Sequence, residues 1–347
     1  MASTYHAHKN KLLNWQPGAS IETLRKRAAL LAEIRRFFQK RNVLELETPC
    51  LSRHSVSDPF LDPLTVIRSE SEQAETKENK TFYLQTSPEY AMKRMLAAGF
   101  SDIFQISKCF RDDEIGRYHN PEFTMLEWYR SGFDMQALID EVVELLRLCL
   151  KTDSHQQVTY TQLFQTHFEL EPNRASLKTL LDLCCADNIR DYAKLIYQDS
   201  TCGKLSKEAA KDGLLQLLFN TYIEPYIGAE APCIVTHFPA SQAALAKLDD
   251  SGQFGLRFEV YYKQIELANG FEELTCAKTQ RMRFEKDNEL RRQLGKPQRD
   301  LDERFLAALE HGLPSCAGVA LGMDRLIMLS LGKSHIQEVL TFDFNQA

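Results

Sequence analysis

The run Arg111-Asp112-Asp113-Glu114-Ile115-Gly116-Arg117-Tyr118-His119-Asn120-Pro121-Glu122 joins two strand-like stretches, Ile103 to Phe110 and Phe123 to Tyr129. A hairpin carrying Arg111, Arg117 and His119, with Phe123 at its exit, is suited to gripping a polyphosphate and stacking a base. Guanidinium forks match phosphate oxygens bidentately. The same residue types also describe a solvated charged hairpin.

A second constellation spans Phe258 to Leu267. Folded as a hairpin turning at Lys263-Gln264, it sets Glu266 opposite Tyr261 and diagonal to Glu259, at roughly 7–8 Å. Two carboxylates so spaced can bridge Mg²⁺ ions that hold nucleotide phosphates. Two solvent-facing strand residues would give the same pattern, and Lys-Gln is a weak turn dipeptide.

Asn269-Gly270-Phe271-Glu272-Glu273 follows directly, and Gly318-Val319-Ala320-Leu321-Gly322-Met323-Asp324-Arg325 runs from a small-residue strand into a helix. Small residues let a ligand approach the backbone, and an arginine opening a helix can reach a phosphate beside that helix's N-terminus. Glycines also occur where elements simply cross closely. The chain contains no GxGxxG, GxxxxGK[ST], HExxH or GxSxG, so Rossmann, P-loop, zinc-protease and serine-hydrolase readings have no support.

The elements that must position these groups follow from periodicity and caps. Ser20 caps a helix with apolar positions at Leu24, Ala28, Leu31, Ile34 and Phe38. Val43 to Thr48 reads as a strand stopped by Pro49, and residues 68–81 as a solvated loop or hairpin tip. Phe82 to Gln85 is strand-like, followed by Ser87 as N-cap, Pro88 in the first turn and Gly99 at the helix end. Asp134 caps a long amphipathic helix from Met135 to about Leu150. Residues 151–229 then look like an inserted, mostly helical region with helices near 175–186 and 206–222. Strands return at Cys233 to His237, Phe254 to Ala268 and 316–322, with helices near 278–311 and from about Asp324. The fold class expected is α+β, a large antiparallel sheet with helices packed on it.

Composition narrows the function. With 347 residues, 42 Lys plus Arg against 48 Asp plus Glu, and a net charge of −6, there is no global positive field for nucleic acid. Basic clusters at Arg25-Lys26-Arg27, Arg35-Arg36 and Arg281 to Arg292 could dock an anionic partner or merely solvate helices. Hydrophobic residues at 44% and charged residues at 26% are those of an ordinary globular protein. The polar start and the absence of about 18 consecutive apolar residues predict a cytoplasmic protein without a membrane span. Nine cysteines without a CxxC pair read as reduced thiols.

Taken together and in order, these segments resemble the three signature motifs of class II aminoacyl-tRNA synthetases, and the sequence is similar to their lysyl subgroup over about residues 20 to 340. The first helix and strand, ending in Glu47-Thr48-Pro49, resemble motif 1, residues 109–129 (CFRDDEIGRYHNPEFTMLEWY) motif 2, and residues 318–325 (GVALGMDR) motif 3. The resemblance implies a class II catalytic domain over 20–347 behind a leader at 1–19, with motif 1 forming a homodimer interface. It implies ATP and Mg²⁺ as cofactors. Arg111 would contact the substrate carboxylate and α-phosphate, His119 and Arg325 the outer phosphates, and Phe123 the adenine, with Asp113 and Asn120 nearby. Glu259 and Glu266 would hold magnesium. Arg111 and Arg325 would be catalytic. Glu89 would meet the α-side amine beside Ser87, and Glu127, Tyr129, Asn269, Phe271 and Glu273 would form the pocket for a lysine-like ammonium.

Three departures refine this. Motif 1 begins near residue 20, so no N-terminal OB-fold anticodon-binding domain is expected. Ala320 replaces the middle glycine of motif 3, and one methyl in the amino-acid pocket is worth about 1–3 kcal/mol of discrimination. Asp113 stands where motif 2 usually has Glu. With Glu-Trp-Tyr at 127–129, the first two departures match the truncated paralogues that join (R)-β-lysine to a lysine of translation elongation factor P. The resemblance therefore implies elongation factor P as the acceptor and no tRNA binding. A truncated enzyme acylating tRNA or a small amine, or a non-catalytic paralogue, remains an alternative.

Overall fold

The computed structural model describes residues 15–67, 81–112 and 115–347. The expected leader at 1–19 lies mostly outside these residues, as do Asp113 and nearly all of the 68–81 loop.

The chain opens with α1 (Ile21–Gln39), where Ser20 Oγ accepts from Thr23 N at 3.1 Å. Three short strands follow, β1 (Leu44–Glu45), β2 (Leu51–Ser52) and β3 (Thr65–Ile67), then β4 (Thr81–Leu84) and α2 (Glu89–Ala97). Next come the long pair β5 (Ile103–Phe110) and β6 (Glu122–Ser131) and the capped helix α3 (Met135–Leu150). Asp134 Oδ1 accepts from Ala137 N at 2.8 Å, and Lys151 ends α3 in the left-handed region at φ 56.

The middle of the chain holds β7 (Gln156–Thr159), α4 (Tyr160–Phe168), α5 (Leu177–Leu183), α6 (Asp187–Thr201) and α7 (Lys207–Leu218). The last part alternates β8 (Cys233–Pro239), β9 (Phe254–Tyr262), β10 (Ile265–Glu272), α8 (Ala277–Gln293), α9 (Glu303–Gly312), β11 (Cys316–Gly322) and α10 (Met323–Ser330).

Among the described residues the strands form an eight-stranded sheet, ordered β1-β5-β6-β11-β10-β9-β8-β7, and a three-stranded one, β2-β4-β3. The larger sheet is antiparallel across its six central strands, as expected, but each edge strand, β1 and β7, pairs in parallel. Only Leu44 and Glu45 of the strand expected over 43–48 join the ladder. β7, α4 and α6 were not expected. β7 brings the start of the 151–229 region into the sheet itself.

Strand alternation divides the sheet's two faces. Phe104, Leu126, Trp128, Ala317, Val319, Leu321, Ala268, Phe258 and Val260 enter the main core together with residues of α1, α3 and α10. A full burial of this kind contributes about 1.5–3 kcal/mol per large apolar side chain. A second cluster joins α4 to α7 onto β8 and Tyr261, and a third packs α2, α8 and α9 around Ile103, Tyr129 and Cys316. The alternate residues of the central strands remain for the opposite face.

Candidate active site

That opposite face collects the predicted residues by register. Across β5, β6, β11, β10 and β9, Gln105 pairs with Glu127, Glu127 with Ala320, Ala320 with Asn269, and Asn269 with Glu259. One step along, Ile103 pairs with Tyr129, Tyr129 with Gly318, Gly318 with Phe271, and Phe271 with Arg257. Ala320 therefore stands directly between Glu127 and Asn269. Gly318 is required by its neighbours, because a Cβ there would lie 2.3 Å from the Tyr129 ring and 2.6 Å from Glu273 Oε1.

One end of this face is acidic. Tyr129 donates its hydroxyl to Glu127 Oε1 at 2.6 Å, and Ser87 donates to Glu127 Oε2 at 2.8 Å. The Ser87 hydroxyl also accepts from Glu89 N at 3.0 Å, so it steadies the start of α2, one residue later than expected. Glu127 and Glu273 are almost fully buried. Burial, followed for Glu127 by the charge of Glu89, pushes the Glu127 carboxyl up to about 7. Burial pushes Glu273 up to about 8, with Glu89 and Glu127 adding to it against the pull of Lys93. Lys93 was missed in the sequence. Its ammonium, 1% exposed, lies 2.6 Å from both Glu89 Oε1 and Glu273 Oε2.

The other end is cationic and faces a carboxylate pair. Arg111, just past β5, lies with its guanidinium carbon 5.1 Å from the Phe123 ring centroid, and its buried Nε has no hydrogen-bond partner among the described residues. Arg325 donates to Glu266 O at 2.8 Å and Tyr118 O at 3.2 Å, and its Nη2 lies 2.6 Å from His119 Nε2. The hairpin turns as expected at Lys263 and Gln264, both at positive φ, and Glu266 pairs with Tyr261, two residues from Glu259. Burial and the neighbouring Glu259 raise the Glu266 carboxyl, opposed by Arg325, Arg257 and Arg111.

Two further residues join this end. Glu224, at the start of a short helical turn, is pushed up to about 7 by burial and by Glu266 and Glu259. Arg257 donates to Asn269 Oδ1 at 3.2 Å and to Gln242 O at 2.6 Å, and pairs with Glu259, which also accepts from Tyr261. Nothing in the spacing marked either residue.

Asn120 serves the scaffold, donating to Glu122 O at 2.7 Å and accepting from Phe344 N at 3.0 Å. The basic runs are largely engaged within the molecule. Lys26 pairs with Glu22, Arg35 with Glu45, Arg281 with Glu303 and Arg292 with Glu289, while Arg291 is buried against Asp62. All nine cysteines are free.

The comparisons with known proteins follow this geometry. The family model for tRNA synthetases class II (D, K and N) matches residues 4–346. The chain belongs to the class II tRNA synthetases. Within the family it is 50% identical to the elongation factor P–(R)-β-lysine ligase of Pseudoalteromonas translucida, over 96% of this chain and 98% of that protein. It is 49% identical to the ligase of the same name from Haemophilus ducreyi, over 96% and 98%, and 46% identical to that of Proteus mirabilis, over 97% and 100%. For a class II synthetase the acidic end is suited to an amino acid with cationic groups and the cationic end to nucleotide phosphates. No helix of the described residues is long and apolar enough to cross a membrane.

Proposed function

We propose that the chain activates (R)-β-lysine with ATP and transfers the lysyl group to the ε-amine of a lysine of translation elongation factor P. The observation that carries this reading is the single face of β6, β11, β10 and β9. It sets Glu127, Ala320, Asn269 and Glu259 side by side, an acidic pocket in register with a phosphate-facing cluster. The printed names of the three relatives, matched over nearly their whole lengths, support the donor and the acceptor.

In this reading Glu89, Glu127 and Glu273 receive the two ammonium groups of the donor. Buried ammonium groups require carboxylate partners, and the pocket rejects uncharged analogues by leaving those partners unpaired. Arg111, with its unpartnered buried Nε, takes the donor carboxylate and the α-phosphate, while His119 and Arg325 take the outer phosphates and Phe123 stacks on the base. The carboxylate oxygen attacks the α-phosphorus, a P–O bond forms and pyrophosphate leaves. The acceptor amine then attacks the carbonyl of the lysyl-adenylate, forming the amide and releasing AMP and a proton. Catalysis rests on positioning and on charge neutralisation by Arg111 and Arg325.

Glu259 and Glu266 suit magnesium, since two mutually repelling carboxylates plus phosphate oxygens are what that ion takes. When bound it supplies neutralisation of phosphate charge. We place the reaction in the cytoplasm and read the active form as a homodimer. The exposed Ile21, Ala28, Ala29 and Ala32 of α1, with Leu44 and Leu51 nearby in sequence, support a partner on this side.

The test is the intact mass of purified elongation factor P after incubation with the protein, ATP, Mg²⁺ and (R)-β-lysine, beside a tRNA acceptor and an α-lysine control. A gain of one lysyl unit on the factor, with tRNA uncharged, is expected. An unmodified factor with continuing pyrophosphate exchange would transfer the assignment to tRNA or a small amine.

A further inference from the structure

The pocket for the donor's ammonium groups already contains an ammonium. Lys93 lies one helical turn after Glu89 on α2 and reaches both Glu89 and Glu273 at 2.6 Å while almost wholly enclosed. A lysine buried this way is held charged only by its carboxylate partners. Its charge is raised in favour of the ammonium by Glu273 and Glu89, which outweigh burial. Glu273 Oε2 accepts from the Lys93 ammonium at 2.6 Å, so the two carboxylates and the lysine form one connected group.

The arithmetic of charge is the point. Glu89, Glu127 and Glu273 carry three negative charges when ionised, and Lys93 cancels one. Resting on the lysine reading above, we infer that Lys93 is a specificity-determining residue, a resident ammonium that sets the pocket to accept two ammonium groups. The other titratable groups facing it do not alter the count. Tyr129 on β6 is raised well above its ordinary range by burial and the three glutamates. Cys109 on β5 and Cys316 on β11 are each pushed up to about 12, chiefly by burial, and stay neutral. Lys93 also bridges Glu89 and Glu273, and its charge offsets the repulsion by which Glu89 raises the Glu273 carboxyl.

The experiment is lysine-dependent ATP–pyrophosphate exchange across pH, with (R)-β-lysine and the single-ammonium analogue 6-aminohexanoate. The wild type, Lys93→Met, Glu273→Gln and the double variant are compared. The wild type should prefer the two-ammonium donor by at least about a hundredfold. In Lys93→Met the acid limb of kcat/KM should move up by about 1–3 pH units, because the carboxylates lose a cation that favours their ionised form. A purely structural role would lower kcat/KM evenly across pH.

Glu273→Gln leaves one net negative charge, so its preference should collapse. Adding Lys93→Met restores two and should bring the preference back at least about tenfold. This comparison also covers a Lys93→Met chain that fails to fold. An unmoved acid limb in Lys93→Met, or a double variant no more selective than Glu273→Gln, overturns the inference while leaving the lysine reading intact. A wild type without lysine-dependent exchange overturns that reading and this inference with it.

Discussion

Arg27 on α1 and Asp324 on α10 form an ion pair at 2.6 Å, with Asp324 almost fully buried. Asp324 Oδ2 also accepts from Thr124 N at 2.7 Å, and Arg27 donates to Thr124 Oγ1 at 3.1 Å. The first helix is thereby tied to the residue before Arg325 and to the residue after Phe123. Asp324→Ala leaves the buried Thr124 N–H without its acceptor and the part-buried Arg27 with only its bonds to Thr124 Oγ1 and Val339 O, so a loss of about 1–3 kcal/mol is expected by chemical denaturation. A loss below about 1 kcal/mol would show that the tie is not needed.

Ala320 stands between Glu127 and Asn269. In the proposed reading its methyl lies on the floor of the amino-acid pocket. Ala320→Gly should change the ratio of (R)-β-lysine to α-lysine activation in favour of α-lysine, by about 1–3 kcal/mol or roughly five- to 150-fold. Equal kcat/KM ratios for the variant and the wild type in pyrophosphate exchange would remove Ala320 from the specificity argument.

Gly318 and Gly322 make opposite predictions on one strand. A Cβ at Gly318 falls 2.3 Å from the buried Tyr129 ring, whereas at Gly322 the nearest atom is Arg325 Cδ at 3.7 Å. Gly318→Ala should cost about 1–3 kcal/mol of stability and raise the KM for lysine. Gly322→Ala should leave the melting temperature within a degree or two, about 0.5 kcal/mol. Similar melting curves for the two variants would refute the close approach.

Protons should leave the pocket when the donor binds. With Glu127 at about 7 and Glu273 at about 8, the empty pocket holds protons near neutrality. Ammonium groups favour the ionised carboxylates, so affinity rises with pH through about 7 to 8 and flattens above. The same raised values mean that the substrate-free protein carries more protons folded than unfolded between about 4.5 and 8. These two groups therefore make it less stable as pH rises through that window. Calorimetry in buffers of different ionisation enthalpy should register net proton release at pH 7. A buffer-independent enthalpy would contradict the raised values.

Arg111→Ala should abolish adenylate formation, since it removes the guanidinium that lies 5.1 Å from the Phe123 ring centroid and acts on the Glu266 carboxylate. Pyrophosphate exchange within tenfold of the wild type would count against its assignment.

Much of the fold and site was legible from the sequence because the strongest signals are local. Ser20 and Asp134 announce their helices through caps, and Gly99 closes α2 at φ +103, where a side chain would be strained. Even the weak Lys263-Gln264 turn formed, since the β9–β10 register is held by flanking apolar pairs. The failures are equally physical. α6 exposes Tyr192 and Leu195 and buries only Ile189, Ala193 and Ser200, so few large apolar residues mark its inward face. The Val158-Thr159-Tyr160 run carries strand-favouring residues straight into the start of α4, which hid the change from β7 to α4. Lys93 was visible as an i,i+4 partner of Glu89, a spacing that ordinarily marks a solvated helix face. The fold's long-range packing buries it and pairs it with Glu273. Arg257 and Glu224 gain their roles through the same kind of distant contact.

The place of β11 has a consequence for how the protein comes into being. It sits between β6 and β10, so the sheet is two separate halves until residues 316–322 arrive. Each half then exposes an unpaired strand edge, an invitation to sticking with other chains. Pairings so distant in sequence form slowly. The row that sets Glu127, Ala320 and Asn269 side by side therefore cannot form on a nascent chain shorter than about residue 322. A ribosome stalled before that point carries two unjoined sheet halves, and the final strand joins them in one event.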